Sequence, residues 1–339
     1  MSPVKSSLVP GFEALWYDNH PLRWALLPAT LAYRAIARLR REGYKRGWLK
    51  TVEVAVPVIV VGNVSVGGTG KTPFVIWLAA QLRSRGRRVG IVTRGYRGKS
   101  AQWPRTVSAD ADPAEVGDEP VLLARRTGCP VVAGPDRVAA AEALLKTGSV
   151  DVLLADDGLQ HYRLGRRFEI AVVDGVRGMG NGLCLPAGPL REPPARLQDV
   201  DAIVVNGGDW GHAGVFRGHA VVTRVYNLRD RKERSLDSFR GSEVHAVAGI
   251  GNPQRFFDLL DDAGLDVIRH PLEDHAEIGT AQLTFDEPGP VLITEKDAVK
   301  CEQLAPANVW CVVVDLEFGA DLTARLMRLV LRGIGVGTS

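Results

Sequence analysis

Apolar and polar positions alternate along this chain with two different periods. Short apolar runs recur at residues 58–61, 89–92, 131–133, 152–155, 170–173 and 203–205. Stretches with helical spacing separate several of these runs, at 73–85, 119–127 and 137–146. Strands that are apolar throughout and alternate with helices indicate a parallel sheet covered on both faces. The pattern therefore predicts an α/β fold.

A second, shorter α/β pattern follows a segment without periodicity. Residues 206–219 are rich in glycine, and beyond them we expect strands at 244–248, 291–294 and 309–314 and helices at 253–263 and 321–332. A chain of 339 residues is long enough for two domains. We therefore predict a first domain over residues 1–205, a linker over 206–225 and a smaller α/β domain over 226–335.

Near the N-terminus, residues 20–42 have the spacing of a basic amphipathic helix. Trp24, Leu27, Leu31, Ala35 and Leu39 recur at steps of three or four. Residues 1–50 contain nine Lys or Arg against three Asp or Glu, a local net charge of +6. Such a helix can lie in a membrane interface or pack on its own domain, and the pattern alone favours packing.

Composition excludes several classes of protein. Hydrophobic residues make up 45% and charged residues 24% of the chain, which excludes a disordered polymer. The net charge of +3 does not indicate nucleic-acid binding. Neither a membrane-spanning run nor a signal peptide is recognisable, so we expect a cytoplasmic protein. The four cysteines lack metal-site spacing and are expected to be buried thiols in a reducing compartment.

The strongest motif is VIVVGNVSVGGTGKTP at residues 58–73, an apolar strand followed by a glycine-rich loop and a helix. Backbone N–H groups of such a loop bind phosphate oxygens at a helix N-terminus. The motif predicts a P-loop that binds a nucleoside triphosphate, with the lysine at the β- and γ-phosphates and the threonine hydroxyl at Mg²⁺. The predicted nucleotide-binding residues are Ser65, Val66, Gly67, Gly68, Thr69, Gly70, Lys71 and Thr72.

An acidic pair follows another predicted strand, in the sequence LLADDGLQH at residues 153–161. In a P-loop fold an aspartate at this place can hold Mg²⁺, so Asp156 or Asp157 is a candidate metal ligand. His161 lies close enough along the chain to orient this loop. A turn or helix cap is the alternative for the pair.

Three further motifs carry weaker signals. GDEP at residues 117–120 places Asp118 and Glu119 at a helix start, where they serve as caps or, for Asp118, as the base of a kinase. TRGYRG at residues 93–98 offers Arg94 and Arg97 to a phosphate. His275 lies in a predicted loop, where a structural role is the alternative to catalysis.

Taken in order, the motifs resemble those of the tetraacyldisaccharide 4′-kinase family, the lipid A 4′-kinases. The resemblance covers residues 12–302, approximately, and rests on GNVSVGGTGKTP, TRGYRG, GDEP, DDGLQH, VVDGVRGMGNG, LPAGPLREP, AGIGNP and TEKDAVK. It implies transfer of the γ-phosphate of ATP, with Mg²⁺, to the 4′-hydroxyl of tetraacyldisaccharide 1-phosphate, which yields lipid IV-A.

The resemblance also assigns roles to residues and a place in the cell. Asp118 matches the proposed base and His275 the histidine that pairs with it, while Lys71 keeps its P-loop role. Glu119 and Glu192 match acidic residues near the metal and nucleotide. The resemblance implies a peripheral enzyme at the cytoplasmic face of the bacterial inner membrane, attached through the N-terminal helix. We expect the protein to be a monomer.

Two alternatives come from other functional classes. A P-loop GTPase or ATPase switch, or a metal-insertion NTPase, would use the same loop to change shape. The order Thr-Glu-Lys-Asp at residues 294–297 does not fit the guanine-reading motif of GTPases. A membrane scaffold without turnover would not need the P-loop lysine and threonine.

Overall fold

The computed structural model describes residues 12–18, 20–148 and 150–335. Its strands are β1 (Val58–Gly62), β2 (Val89–Thr93), β3 (Arg105–Val107), β4 (Val131–Ala133), β5 (Val152–Asp156), β6 (Phe168–Asp174), β7 (Ala202–Asn206), β8 (Phe216–Asn227), β9 (Glu233–Arg234), β10 (Glu243–Ala248), β11 (Asp266–Pro271), β12 (Val291–Thr294) and β13 (Val309–Glu317). Its α-helices are α1 (Phe12–Tyr17), α2 (Leu27–Lys45), α3 (Lys71–Arg83), α4 (Pro113–Val116), α5 (Asp118–Thr127), α6 (Arg137–Leu145), α7 (Pro253–Asp262), α8 (Glu295–Cys301) and α9 (Ala320–Gly333). Short 3₁₀ helices lie at Pro21–Leu26, Pro194–Asp199, Leu236–Phe239 and Thr280–Leu283.

The strands that the described residues form join into one sheet with the order β11-β10-β12-β13-β8-β7-β6-β1-β5-β2-β4-β3, and β9 pairs with β8. Pairing is parallel except for β3 with β4, β8 with β13 and β8 with β9. Strand β1 lies between β5 and β6, where the carboxyl ends of three parallel strands meet. The predicted α/β class with a predominantly parallel sheet is confirmed.

Helices cover both faces of the sheet. On one face of the β1–β7 region, buried side chains of α3 and α5 pack together with those of α9, and α6 packs on the other face. Helices α7 and α8 pack on opposite faces of the β10–β13 region. Apolar faces at helical spacing account for this arrangement, because each helix buries its apolar side chains against the sheet.

The division into two domains remains a prediction. Two features of the structure differ from the expected bounds. The segment 206–225, expected as a linker, contains most of β8, which pairs in parallel with β7 through Phe216–Gly218 and antiparallel with β13 beyond. The final helix, α9, is expected in the second domain, but its Leu326, Met327 and Val330 belong to the same buried core as side chains of β1 and β6. Glycines at 207, 208, 211, 214 and 218 obscure the apolar pattern of β8.

Helix formation near the N-terminus occurs where the spacing predicts it. A 3₁₀ helix, Pro21–Leu26, leads into α2. One face of α2 contacts the protein body, since the Thr30 hydroxyl donates to the Cys184 carbonyl at 3.3 Å and the Tyr33 hydroxyl to the Arg191 carbonyl at 3.0 Å. The apolar side chains predicted to form a stripe point elsewhere, and Trp24, Leu31 and Leu39 are 57–67% exposed.

Two further features concern the cysteines and the apolar character of the helices. Cys129, Cys184, Cys301 and Cys311 are all free and buried, as expected. Among the described residues, none of the helices combines the length and apolar character needed to cross a bilayer.

Candidate active site

A cleft of about 1280 Å³ runs along the carboxyl ends of the central strands. Helix α2 contributes Tyr33 and Arg40 to its wall, and the loop after β10 contributes Gly251 and Asn252. Predicted site residues that line it are Val66, Gly67, Gly68, Thr69, Gly70, Lys71, Thr72, Arg94, Glu119, Asp157, His161, Glu192 and His275. Three predicted site residues are buried and are not part of this lining, namely Ser65, Asp118 and Asp156.

The glycine-rich loop joins β1 to α3 as predicted. Gly67 and Gly70 have φ values of +96° and +85°, a region that L residues with a Cβ rarely occupy. These turns place Gly70 as the N-cap of α3, so the first N–H groups of the helix face the cleft end of the sheet. Ser65, which replaces the first glycine of the common motif, pairs instead with Leu190 in an isolated β-bridge.

Neighbouring segments fix the loop from two sides. The N–H of Val66 donates to the Pro189 carbonyl at 2.8 Å, and the Asn206 amide donates to the Thr69 carbonyl at 3.3 Å. Asn206 also accepts from the Arg255 guanidinium on α7. Sequence reasoning did not single out Asn206 or Arg255, because neither belongs to a motif with a known chemistry.

The two aspartates at the end of β5 have different surroundings. Both carboxylate oxygens of Asp157 accept from Arg191, at 2.9 and 3.0 Å, and Lys71 Nζ lies 3.6 Å from Oδ1. Burial opposes its ionisation, but Lys71 and Arg191 hold the pKa of Asp157 far below its ordinary value. Asp157 is therefore an anion whose oxygens are already paired with cations. Sequence reasoning missed Arg191, although it lies inside the LPAGPLREP motif.

Asp156 is the less satisfied member of the pair. Its Oδ2 accepts from the Thr93 hydroxyl at 3.2 Å, while its buried Oδ1 has no hydrogen-bond partner among the described residues. Burial, followed by the charges of Glu119 and Asp157, raises the pKa of Asp156 well above its ordinary value. A buried carboxylate oxygen without a partner, at the end of the strand beside the P-loop strand, fits a hard divalent cation.

Metal binding at this place would need the nucleotide as well. Within the described ranges, no group of three or more His, Cys, Asp or Glu side chains is placed to hold a metal ion. Mg²⁺ in P-loop proteins takes one or two protein ligands and completes its shell with phosphate oxygens and water. A carboxylate of Asp156 and the hydroxyl of Thr72 match that donor set.

Asp118 and His275 come together from positions 157 residues apart. His275 Nδ1 lies 2.9 Å from Asp118 Oδ2, and the N–H of Glu119 donates to Asp118 Oδ1 at 2.8 Å. Burial opposes ionisation, but the His275 hydrogen bond and the charges of Lys296 and Lys300 lower the pKa of Asp118. The Asp118 side chain keeps 7% of its surface exposed.

The remaining predicted residues occupy the cleft wall with defined partners. Glu192 accepts from the Tyr162 hydroxyl and from Gln160 Nε2. His161 Nε2 lies 3.4 Å from the N–H of Arg137, and burial together with the Arg137 charge lowers the pKa of His161 to about 4. Arg94 is exposed, with its guanidinium 5.8 Å from the centre of the Tyr96 ring.

Comparison with known proteins identifies the family. A family model described as "Tetraacyldisaccharide-1-P 4'-kinase" (LpxK) matches residues 22–331. The chain belongs to this family. It is 52% identical over 313 residues to a tetraacyldisaccharide 4′-kinase of Alkalilimnicola ehrlichii, covering 89% of this chain and 91% of that protein. It is 46% identical over 324 residues to that of Pseudomonas aeruginosa strain PAO1, covering 94% of this chain and 98% of that protein.

A solved LpxK structure has the same fold. The crystal structure of LpxK from Aquifex aeolicus in complex with ATP superposes with a TM-score of 0.76 at 31% sequence identity, covering 92% of this chain and 99% of that one. The resemblance inferred from the ordered motifs is thus confirmed. Membership of the tetraacyldisaccharide 4′-kinase family also argues against the switch and scaffold alternatives.

Proposed function

We propose that the protein transfers the γ-phosphate of ATP to the 4′-hydroxyl of tetraacyldisaccharide 1-phosphate, forming lipid IV-A in lipid A biosynthesis. Family membership supports the reaction, since the relatives carry the name of this activity. The observation that carries the proposal is that His275 lines the same cleft as the P-loop and holds the Asp118 carboxylate at 2.9 Å behind it. A phosphate donor and an alcohol acceptor need these two elements together.

In the proposed mechanism the P-loop N–H groups and Lys71 bind the phosphates of ATP. Asp118 accepts the proton of the attacking hydroxyl, and His275 holds its carboxylate in place. Thr72 and Asp156 would hold Mg²⁺, which when bound neutralises charge on the β- and γ-phosphate oxygens. Catalysis then consists of positioning and charge stabilisation, with Glu119, His161, Arg94 and Glu192 as part of the cleft wall.

Phosphate transfer from γ-labelled ATP to tetraacyldisaccharide 1-phosphate in detergent micelles tests the reaction. We expect a labelled lipid with ATP, a weaker signal with GTP and none without lipid. Asp118→Asn removes the base but keeps the side-chain volume, so kcat should fall about 100-fold or more while the dissociation constant of ATP stays within about twofold. Parallel losses of ATP binding and turnover would contradict the assignment of Asp118 as base.

Membrane attachment through α2 is the second part of the proposal. Trp24 in the 3₁₀ helix before α2 is 57% exposed, and Leu31 and Leu39 in α2 are 61% and 67% exposed, although all three are apolar. The neighbouring arginines Arg34 and Arg38 are exposed too. The same helix contributes Tyr33, Ala37 and Arg40 to the cleft. An apolar stripe with basic neighbours suits an anionic lipid surface, and a helix that also forms part of the cleft wall suits an acylated substrate.

Flotation with anionic phospholipid vesicles tests the attachment. The double variant Leu31→Gln/Leu39→Gln should lose most of the bound fraction, because about 0.8 kcal/mol is lost for each CH₂ group no longer buried in lipid. Leu304→Gln is the matched control, since this leucine is 58% exposed outside α2. Equal binding of all three proteins would exclude α2 as the attachment site. Light scattering of the detergent-free protein tests the proposed monomer.

A further inference from the structure

Lys296 is the second residue of α8 and lies where α8, α5 and the His275 loop meet. Its ammonium Nζ is 3.1 Å from Glu119 Oε1, 3.3 Å from Asp274 Oδ1 and 3.2 Å from His275 Nε2. The side chain is only 14% exposed. An ammonium group has three N–H donors, and these three acceptors match that number.

The contact with His275 determines which ring nitrogen carries the proton. An ammonium group has no lone pair, so it donates, and His275 Nε2 must accept. The proton of the neutral imidazole then resides on Nδ1, from which it points at Asp118 Oδ2 at 2.9 Å. A second proton on Nε2 would face the positive charge of Lys296 directly and is therefore disfavoured.

Lys296 retains its charge in this place. Burial alone would lower its pKa, but the carboxylates of Glu119, Asp118 and Asp274 raise the pKa of Lys296 well above its ordinary value. The same contacts explain why a lysine can be buried between two secondary-structure elements, since each of its donors has an acceptor.

We propose that Lys296 is a positioning residue that keeps His275 neutral, with its single proton on Nδ1 directed at Asp118. The inference deepens the proposed function and rests on it for its meaning in catalysis. His275 then acts as a hydrogen-bond donor that orients the Asp118 carboxylate and does not store the transferred proton. An imidazolium at this place would weaken Asp118 as a base, because a neighbouring positive charge lowers the proton affinity of a carboxylate.

Charged and titratable groups surround His275 on several sides. They are Asp118 and Glu119 on α5, Lys296 and Lys300 on α8, Asp274 on its own loop, and Tyr96 and Arg97 after β2. Without Lys296, three carboxylates would remain near the ring against Lys300, which lies 3.8 Å from Asp118, and Arg97, which contacts the His275 carbonyl. Removal of the Lys296 charge should therefore favour a second proton on the ring.

Nitrogen-15 NMR of the histidine rings in the full-length protein tests the inference directly. The His275→Gln variant identifies the signals of this ring. In the wild type at neutral pH, we expect a protonated Nδ1 and an unprotonated Nε2. A proton on Nε2 in the wild type overturns the proposal. The NMR result does not depend on turnover, so it stands even where the lipid kinase assay fails.

Variants at Lys296 separate its charge from its hydrogen bond. In Lys296→Met, part of the His275 rings should carry a proton on Nε2, which the nitrogen-15 signal of that atom reports. Turnover should fall about tenfold while the dissociation constant of ATP is unchanged. Lys296→Arg should keep the wild-type ring signals, and Lys296→Gln should keep a donor but not the charge.

Lys300→Met is the matched control on the same helix, because Lys300 approaches Asp118 but not the His275 ring. A smaller fraction of His275 rings with a proton on Nε2 in Lys300→Met than in Lys296→Met supports the proposal. Equal fractions in the two variants would mean that only the summed positive charge matters, which overturns a specific role for Lys296. Unchanged His275 signals in folded Lys296→Met or Lys296→Gln would overturn it as well.

Discussion

Substitution of Gly70 by alanine should displace the Asn206 side chain and lower the free energy of unfolding. Gly70 has a φ of +85°, where an alanine costs about 1–2 kcal/mol. An added Cβ would also overlap Asn206 Nδ2 and lie 3.0 Å from Asn206 Cγ. The Asn206 side chain must therefore move and lose its hydrogen bonds to the Thr69 carbonyl and the Arg255 guanidinium. These two bonds, one of them to a charged group, contribute about 2–3 kcal/mol together.

A double-mutant cycle measures the coupling free energy between positions 70 and 206. Gly70→Ala should destabilise the protein by about 3–5 kcal/mol, the sum of backbone strain and lost bonds. Asn206→Ala should cost about 2–3 kcal/mol, since it removes the same two bonds without the strain. The double variant loses those bonds only once, so its cost should fall short of the sum by about 2–3 kcal/mol.

Urea unfolding gives the free energies of unfolding for the cycle, and calorimetric titration gives the affinity for ATP. We expect Gly70→Ala to weaken ATP binding, because the displaced loop no longer presents its N–H groups in one arrangement. Additive single costs, within about 0.5 kcal/mol, would refute the reasoning, since Asn206 would then move aside without penalty.

Two further predictions concern stability. Phe74→Ala should cost about 3–5 kcal/mol in urea unfolding, because its fully buried ring packs against Trp77 and Phe318 in the core; the exposed Leu304→Ala, as control, should change it by less than about 0.5 kcal/mol. His161 has a pKa of about 4 in the folded protein against 6.5 in its ordinary state, so the unfolded chain takes up the proton first as pH falls. Stability is therefore lost from pH 6.5 downwards until the folded state is protonated near pH 4, and His161→Gln should lose less over this window than the wild type; equal pH profiles in urea unfolding would contradict the low pKa.

Much of the fold could be read from local pattern, because buried parallel strands are apolar throughout and their boundaries are marked by glycine and polar turns. The strands around the P-loop and the helices that follow them occur where the sequence predicts them. Strand β8 was missed because it is half exposed and follows a run of glycines. The packing of α9 on the first core could not be predicted, since an amphipathic helix does not reveal which sheet covers its apolar face.

Site residues were predictable to the extent that each belongs to a local motif. The P-loop and the Asp156–Asp157 pair follow directly from strand ends. The pairing of Asp118 with His275 links residues far apart in the chain, and only the family resemblance suggested it. Lys296 belongs to the TEKDAVK motif of the family resemblance and to a poor match of the guanine motif, but neither gave it a role. No spacing rule shows that its ammonium contacts a histidine from another loop.

The position of α9 has a consequence for how the protein is made on the ribosome. Gly333 packs so closely against Phe168 that an added Cβ would overlap that ring, and Leu326, Met327 and Val330 are almost fully buried. The core that contains Phe168 therefore lacks part of its cover until α9 has been translated. During synthesis, Phe168 and its apolar neighbours are therefore exposed to solvent for as long as this cover is missing. The core of the P-loop half is consequently completed only after the β8–β13 region and α9 have been translated, although the P-loop half leaves the ribosome first.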